Sequence, residues 1–408
     1  MKSIFTFFII IFLLSSCSPN DKKEEKQEQY VILISLDGFS HEYAKKYNAT
    51  NLLTLAKEGI EAKALIPPYP SKTFPSHYTI ATGLYPEHHG IVGNNFYDPN
   101  FEEYYSTSNR NTVEDGKWYG GTPIWCLAKN YNVRSATYFW IGSEAEINGC
   151  RPNFYNNYDK TVSIKERMDK AIEWLQLPKN ERPQLISLYF SLVDDSGHKF
   201  GPNSKETEES VKQIDIALGD LFSELDSIDL PINIIVVSDH GMYPLDQSKK
   251  VFLEDLLDWS KLDANPTDAF ATIYTSSSTE RDSLFTILKN KEEGRYITYK
   301  KSEVPKNLHY SNNDRIGDIV LIANAPHFFI KKSKKDYWGT HGFDPYKYSE
   351  MHGIFYAKGS ALKQNQQIPA FESIHIYLLI AEILQLPYDS SKIDGKPHVL
   401  KHLLKDQF

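Results

Sequence analysis

The chain has 408 residues, 41% hydrophobic and 24% charged, ordinary for a soluble globular protein and enough to bury the core of one large α/β domain or two smaller ones. A formal net charge of −8 and the lack of any basic stripe exclude duplex nucleic acid as a natural partner. Local positive charge at a functional site therefore has to come from bound metal ions.

Lys2 to Leu14 form a basic start and an apolar stretch too short to span a bilayer comfortably. Leu14-Ser15-Ser16-Cys17 resembles the lipobox of bacterial lipoprotein signal peptides. On this reading residues 1–16 are a removable leader, and Cys17 is lipidated and makes the membrane the partner of the mature chain. An uncleaved anchor is the alternative. Residues 17–29 are then a charged, apolar-poor tether that cannot pack, and Lys22-Lys23-Glu24-Glu25 could serve as a surface-export signal. The expected location is outside the cytoplasm, in the periplasm or on the cell surface, held at the outer membrane.

Beyond the tether, strand-like and helix-like segments alternate. Val31–Leu36 reads as a strand, and His41–Gly59 as an amphipathic helix ending at a glycine. Thr73–Thr82 reads as a helix closed by Gly83, Thr122–Asn130 as a helix, Arg134–Phe139 as a strand and Val162–Leu175 as a helix. Gln184–Val193, Lys205–Leu225 and Ile232–Ser238 follow as strand, long helix and strand. This repeated βαβ usage predicts an α/β fold with a mainly parallel central sheet flanked by helices on both faces. After Met242 the pattern is mixed: Ala269–Thr275 and Tyr296–Lys300 are strand-like around a helical Thr279–Asn290. That predicts a small α+β insertion at about 255–315 within a catalytic domain of residues 30–408. Asp318–Ala323 reads as a further strand and Phe371–Leu386 as a final core helix. With Cys17 committed to lipid, Cys126 and Cys150 remain; one disulfide or two thiols, with Cys126 buried, fit equally.

Acids and histidines gather where the strand-like runs end, the place where open α/β sheets bind ligands. Asp37 follows the first strand, Asp194 and His198 follow the Gln184–Val193 run, and Asp239 and His240 follow the Ile232–Ser238 run. Asp194 and His198, four apart on a turn, can face one ion. His341 sits between Gly339-Thr340 and Gly342, which clear room around its ring. Together they give three carboxylates and three imidazoles, a mixed oxygen and nitrogen set suited to zinc. Thr73 starts a helix, where N–H groups and the dipole favour anions. Its hydroxyl is a candidate nucleophile, and an N-cap role fits the same position.

Several stretches then resemble one family. Lys72-Thr73-Phe74-Pro75-Ser76-His77, Ala81 to Pro86, Gly90 to Asn95, Tyr138-Phe139-Trp140, Asp194 to Pro202, Asp239 to Met242 and His341 to Asp344 are similar to nucleotide pyrophosphatase/phosphodiesterases of the alkaline phosphatase superfamily. The resemblance runs from about Tyr30 to Leu386, in the family's order. It implies two Zn2+ ions per chain, one on Asp194, His198 and His341 and the other on Asp37, Asp239, His240 and the Thr73 hydroxyl. It also implies that Asn94, with the Thr73 backbone N–H, holds a phosphoryl oxygen, that Asp195 is a neighbour rather than a ligand, and that His352 binds no metal. Two divalent ions roughly 4 Å apart can clamp both oxygens of an in-line displacement.

The expected reaction is attack by Thr73 on a nucleotide phosphodiester or pyrophosphate, followed by release of a nucleoside 5′-monophosphate. Phe74 is placed to stack on a base, with Trp140, Tyr155 or Tyr158 completing a slot. Three other readings stay open: a phosphomonoesterase, for which Arg151 is the lone cationic candidate near Trp140; a phosphodiesterase of glycerophospho- or lysophospholipid headgroups; and a non-catalytic surface binding lipoprotein, which predicts a broken ligand set where this one is complete. No protein partner is expected.

Overall fold

Three apolar runs decide the architecture. Tyr30–Leu36, Leu185–Phe190 and Ile232–Val237 are buried along almost their whole length, as strands covered on both faces must be. The computed structural model describes residues 28–406. The expected leader, Cys17, the export signal and nearly all of the tether lie outside these residues.

The central sheet has eight strands: β1 (Tyr30–Leu36), β2 (Ile60–Ala62), β3 (Ser135–Tyr138), β4 (Phe154–Asn156), β5 (Leu185–Phe190), β6 (Ile232–Val237), β7 (Phe355–Gly359) and β8 (Gln366–Ile368). Their spatial order is β8-β2-β7-β6-β1-β5-β3-β4. Strands β6, β1, β5, β3 and β4 run parallel, and β7 is antiparallel to both β6 and β2. Leu36 lies opposite Phe190 and Ser35 opposite Val237, so the carboxyl ends of the three central strands finish level with one another. The Thr50–Glu58, Ile164–Leu175 and Lys205–Asp226 helices pack together as one layer, and Thr73–Thr82, Ile124–Asn130 and Ile376–Ile383 as another. The structure is thus the mainly parallel α/β sheet that the alternation predicts.

The differences from expectation are local. His41–Gly59 is two helices, Tyr43–Lys46 and Thr50–Glu58, interrupted where Asn48 takes φ +54°. Asp194 and His198 lie within a helix, Leu192–Phe200, rather than on a turn. In the predicted last helix only Ile376–Ile383 is α-helical, because Phe371–Glu372 pairs with Leu65–Ile66. The insertion is an antiparallel sheet in the order Asp263–Pro266, Phe270–Tyr274, Ile319–Ala323, Tyr296–Lys300, with the Ser278–Asn290 helix. One of its two inner strands, Ile319–Ala323, lies past the expected end at 315, and a second core runs from Leu245 to Met351. Cys126 and Cys150 are joined by a disulfide, with Cα atoms 5.9 Å apart.

Candidate active site

The level strand ends put the acids and histidines in one place. Asp37 leaves β1, Asp239 and His240 leave β6, and Asp194 and His198 sit one helical turn apart on the helix that follows β5. Gly38 takes φ +66°, and a Cβ there would lie 2.9 Å from the Asp194 Cα and carboxylate, so glycine lets these two turns meet. His341 arrives from the far side of the insertion. A Cβ on Gly339 would lie 2.3 Å from the Gly197 carbonyl, so the glycine ahead of His341 permits a second close approach.

His240 stands at the centre. Its Nε2 is 3.0 Å from Asp239 Oδ2, 3.4 Å from Asp37 Oδ1 and 3.3 Å from Thr73 Oγ. Its ring stacks on His341 at 3.6 Å between centroids. His341 Nε2 is 3.9 Å from Asp194 Oδ1, and His198 Nε2 is 3.5 Å from Asp194 Oδ2. Two groups of donor atoms have the spacing of a metal site: Asp37, Asp239 and His240, and Asp194, His240 and His341. His198 lies outside the second group and touches it through Asp194. The structure thus brings together all seven residues singled out from the sequence, with His240 reaching both groups.

Three further observations fit metal ions to this set. Each histidine uses Nδ1 as a donor to a backbone carbonyl: His198 to Gly339 at 2.8 Å, His240 to Gly241 at 2.9 Å and His341 to Ser71 at 2.8 Å. That fixes the tautomer and leaves the Nε2 lone pairs facing the acids. Asp37 Oδ1, Asp194 Oδ1 and Asp239 Oδ2 are buried and find no hydrogen-bond donor among the described residues, a costly arrangement unless a cation satisfies them. Burial, then the charges of Asp239 and Asp194, push the Asp37 carboxyl well above its ordinary range. Burial and the neighbouring His240 and Lys72 hold His341 well below its ordinary value, so its ring is a neutral donor.

Thr73 is the first residue of its helix rather than the N-cap; that place is held by Lys72, which makes no side-chain cap. The Thr73 hydroxyl is therefore free of the capping role and points at His240 Nε2. Phe74 N–H donates to Asn94 Oδ1 at 3.2 Å, which leaves the Asn94 amide N–H2 to donate elsewhere. Asp195 accepts from Ser191 Oγ and His352 contacts the Pro345 carbonyl, so both stand apart from the ligand set.

Among the candidate stacking residues, Phe74 is half-buried at the helix start, 6.4 Å from the Tyr105 ring. Tyr158 is 39% exposed and packs edge-on against Phe139, with Tyr189 beyond it. Tyr155 lies on the outermost strand with the Arg151 guanidinium over its ring. Trp140 is a correction: it is 1% exposed, sits edge-on to His77 and donates to the His77 carbonyl, so it has no free face for a base. Sequence reasoning missed two residues. Tyr189 donates to Asp37 Oδ2 at 2.6 Å, and His77 Nδ1 donates to the Thr73 carbonyl at 2.9 Å and lies 3.3 Å from Asp239 Oδ2. His77 is one helical turn after Thr73, a spacing that could have flagged it.

Residues 31–353 match the family model described as type I phosphodiesterase / nucleotide pyrophosphatase. A fission yeast (Schizosaccharomyces pombe) protein, described as an uncharacterized pyrophosphatase/phosphodiesterase, is 35% identical over 94% of this chain and 82% of its own length. A venom phosphodiesterase of Crotalus durissus collilineatus is 35% identical over 94% of the chain, which spans about half (47%) of that relative. Among solved structures, murine ectonucleotide pyrophosphatase/phosphodiesterase 5 superposes with a TM-score of 0.85 at 30% identity, covering 93% of this chain and 100% of that one; it is an inactive threonine-to-alanine variant in complex with AMP. The chain belongs to the type I phosphodiesterase / nucleotide pyrophosphatase family.

Proposed function

We propose that this chain hydrolyses phosphodiester or pyrophosphate bonds of nucleotides, with Thr73 as nucleophile and two zinc ions as cofactors, releasing a nucleoside 5′-monophosphate. The observation that carries the reading is the uncapped Thr73 hydroxyl, 3.3 Å from His240 Nε2 beside three orphaned carboxylate oxygens. Asp37, Asp239 and His240 would hold one ion, and Asp194, His341 and His198 the other, with His240 between the two groups. When bound, such ions acidify a coordinated hydroxyl and offset charge on the attacking and leaving oxygens. Thr73 loses its proton as Oγ bonds to phosphorus, and the bond to the leaving oxygen breaks. The resulting nucleotidyl-threonine is cleaved by water, which restores the hydroxyl. The Thr73 backbone N–H, in the first turn of its helix, and the Asn94 N–H2 are donors suited to a phosphoryl oxygen. Phe74 and Tyr158 are the residues suited to flank a base. The AMP complex of the murine relative and the inactivity of its threonine variant support both the substrate class and the nucleophile.

Thr73→Ala is expected to lower turnover of a nitrophenyl nucleotide diester by roughly a thousandfold or more while the metal content stays at two ions. Full activity in that variant would reject Thr73. We also propose a lipid anchor at Cys17 outside the cytoplasm. The leader pattern supports it, and the Cys126–Cys150 disulfide suits an oxidising compartment. Labelling with a radioactive fatty acid, lost in Cys17→Ser, tests it.

A further inference from the structure

In the group of Asp37, Asp239 and His240, the inner group, each carboxylate has one oxygen occupied and one free. Asp37 Oδ2 accepts from the Tyr189 hydroxyl at 2.6 Å, and Asp37 Oδ1 is orphaned and faces His240 Nε2. Asp239 Oδ1 lies 3.3 Å from the Gly38 N–H, which donates to it, and Asp239 Oδ2 is orphaned and faces the same His240. A carboxylate with both oxygens free can bind an ion through two atoms; a short hydrogen bond to one oxygen turns that oxygen towards its donor and favours binding through the other. Zinc sites are usually four-coordinate, whereas larger, harder cations take more oxygens. Tyr189 is itself rigidly placed. It is buried on β5, its carbonyl accepts from Arg167 at 2.8 Å, and its ring meets His77 edge-on at 5.2 Å.

We propose that Tyr189 is a positioning residue that limits Asp37 to a single donor oxygen and so tunes this site to a small, four-coordinate ion. The proposal rests on the di-zinc reading above. The Gly38 N–H does the same for Asp239, but it comes from the backbone and no side-chain substitution removes it. Tyr189 is the part that the side chain supplies, and the one open to test.

The test compares metal-free wild type and Tyr189→Phe, which keeps the ring and removes only the hydroxyl. Zinc affinity is measured by competition with a chromophoric chelator, and coordination by the visible absorption of the cobalt(II) form. Loss of a hydrogen bond to a metal ligand costs about 10–100-fold in affinity, so the variant should release zinc more readily by that factor. Its cobalt(II) bands should weaken, as expected for a higher coordination number, and its preference for zinc over manganese(II) should fall. A purely structural tyrosine would lower the thermal stability of the metal-free protein and leave the cobalt spectrum and the zinc-to-manganese ratio unchanged; that result overturns the proposal. Tyr189→Met removes the same hydroxyl with a different buried side chain and gives the same readouts if the Phe variant folds poorly. Failure of wild type to bind zinc at all would instead reject the di-zinc reading.

Discussion

The two ligand groups share His240 but are built differently. Asp37, Asp239 and His240 have side chains only 0–2% exposed and come directly from the ends of adjacent parallel strands. Asp194 is 14% and His198 32% exposed, on a helix that follows its strand, and His341 comes from beyond the insertion. The inner group is held by the sheet, with Tyr189, Gly38 and His77 around it. The outer group is partly exposed at Asp194 and His198, while His341 is only 4% exposed, and it depends on segments that later parts of the chain hold in place. On the proposed reading Thr73 goes with the inner group, because its hydroxyl lies 3.3 Å from His240 Nε2.

The largest effect should come from His240, the residue both groups share. His240→Ala is expected to lose at least a thousandfold or so in kcat and both ions, measured by steady-state kinetics and elemental analysis. His198→Ala should cost less, roughly 10–100-fold, and added zinc should recover part of it, because His198 stands at the exposed edge. Equal losses in the two variants would erase the distinction between the groups. Timed chelation sharpens it further: the outer ion should leave first, giving a one-ion protein before a metal-free one. Tyr158→Ala should raise KM for a nucleotide diester about tenfold with little change in kcat, since base stacking on an aromatic ring is worth about 1–3 kcal/mol.

A further effect, on stability and not on turnover, lies outside both groups. Burial pushes the His89 imidazole down to about 3 from its ordinary 6.5, while Thr79 Oγ and the Ile91 N–H engage its two nitrogens. As pH falls, the unfolded chain takes up this proton before the folded one. The stability is therefore intact above about 6.5 and is lost progressively towards 3. At pH 5 the loss is about 2 kcal/mol. Thermal unfolding between pH 7 and 5 should show a shallower slope in His89→Gln, which cannot titrate, while the metal content of the two proteins stays equal.

Much of this was legible in the residue pattern. Mostly apolar runs such as Ile232–Val237, broken only by Asn233, fit the middle of a covered sheet, and the acids that follow them mark the sheet's binding edge. Thr73 was legible because a hydroxyl at a helix start is a recognisable device. Residues whose role depends on distant partners were not. Tyr189 reads as one more apolar strand position until β1 places Asp37 beside it, and Trp140 reads as a stacking residue until burial hides its faces. Strand β7 carries no alternation of its own, and the insertion ends only where Ile319–Ala323 finds its partners.

The sequence by itself determined the chemistry on offer: three carboxylates, three imidazoles and one hydroxyl, most of them close after parallel strands or at the start of a helix. Local patterning carries that much, because strand and helix periods are written in neighbouring residues. The tertiary structure alone decided which oxygen of each acid is free, which nitrogen of each histidine faces inward and which group lies open to water. Those depend on hydrogen bonds between residues such as Tyr189 and Asp37 or His341 and Ser71, far apart along the chain.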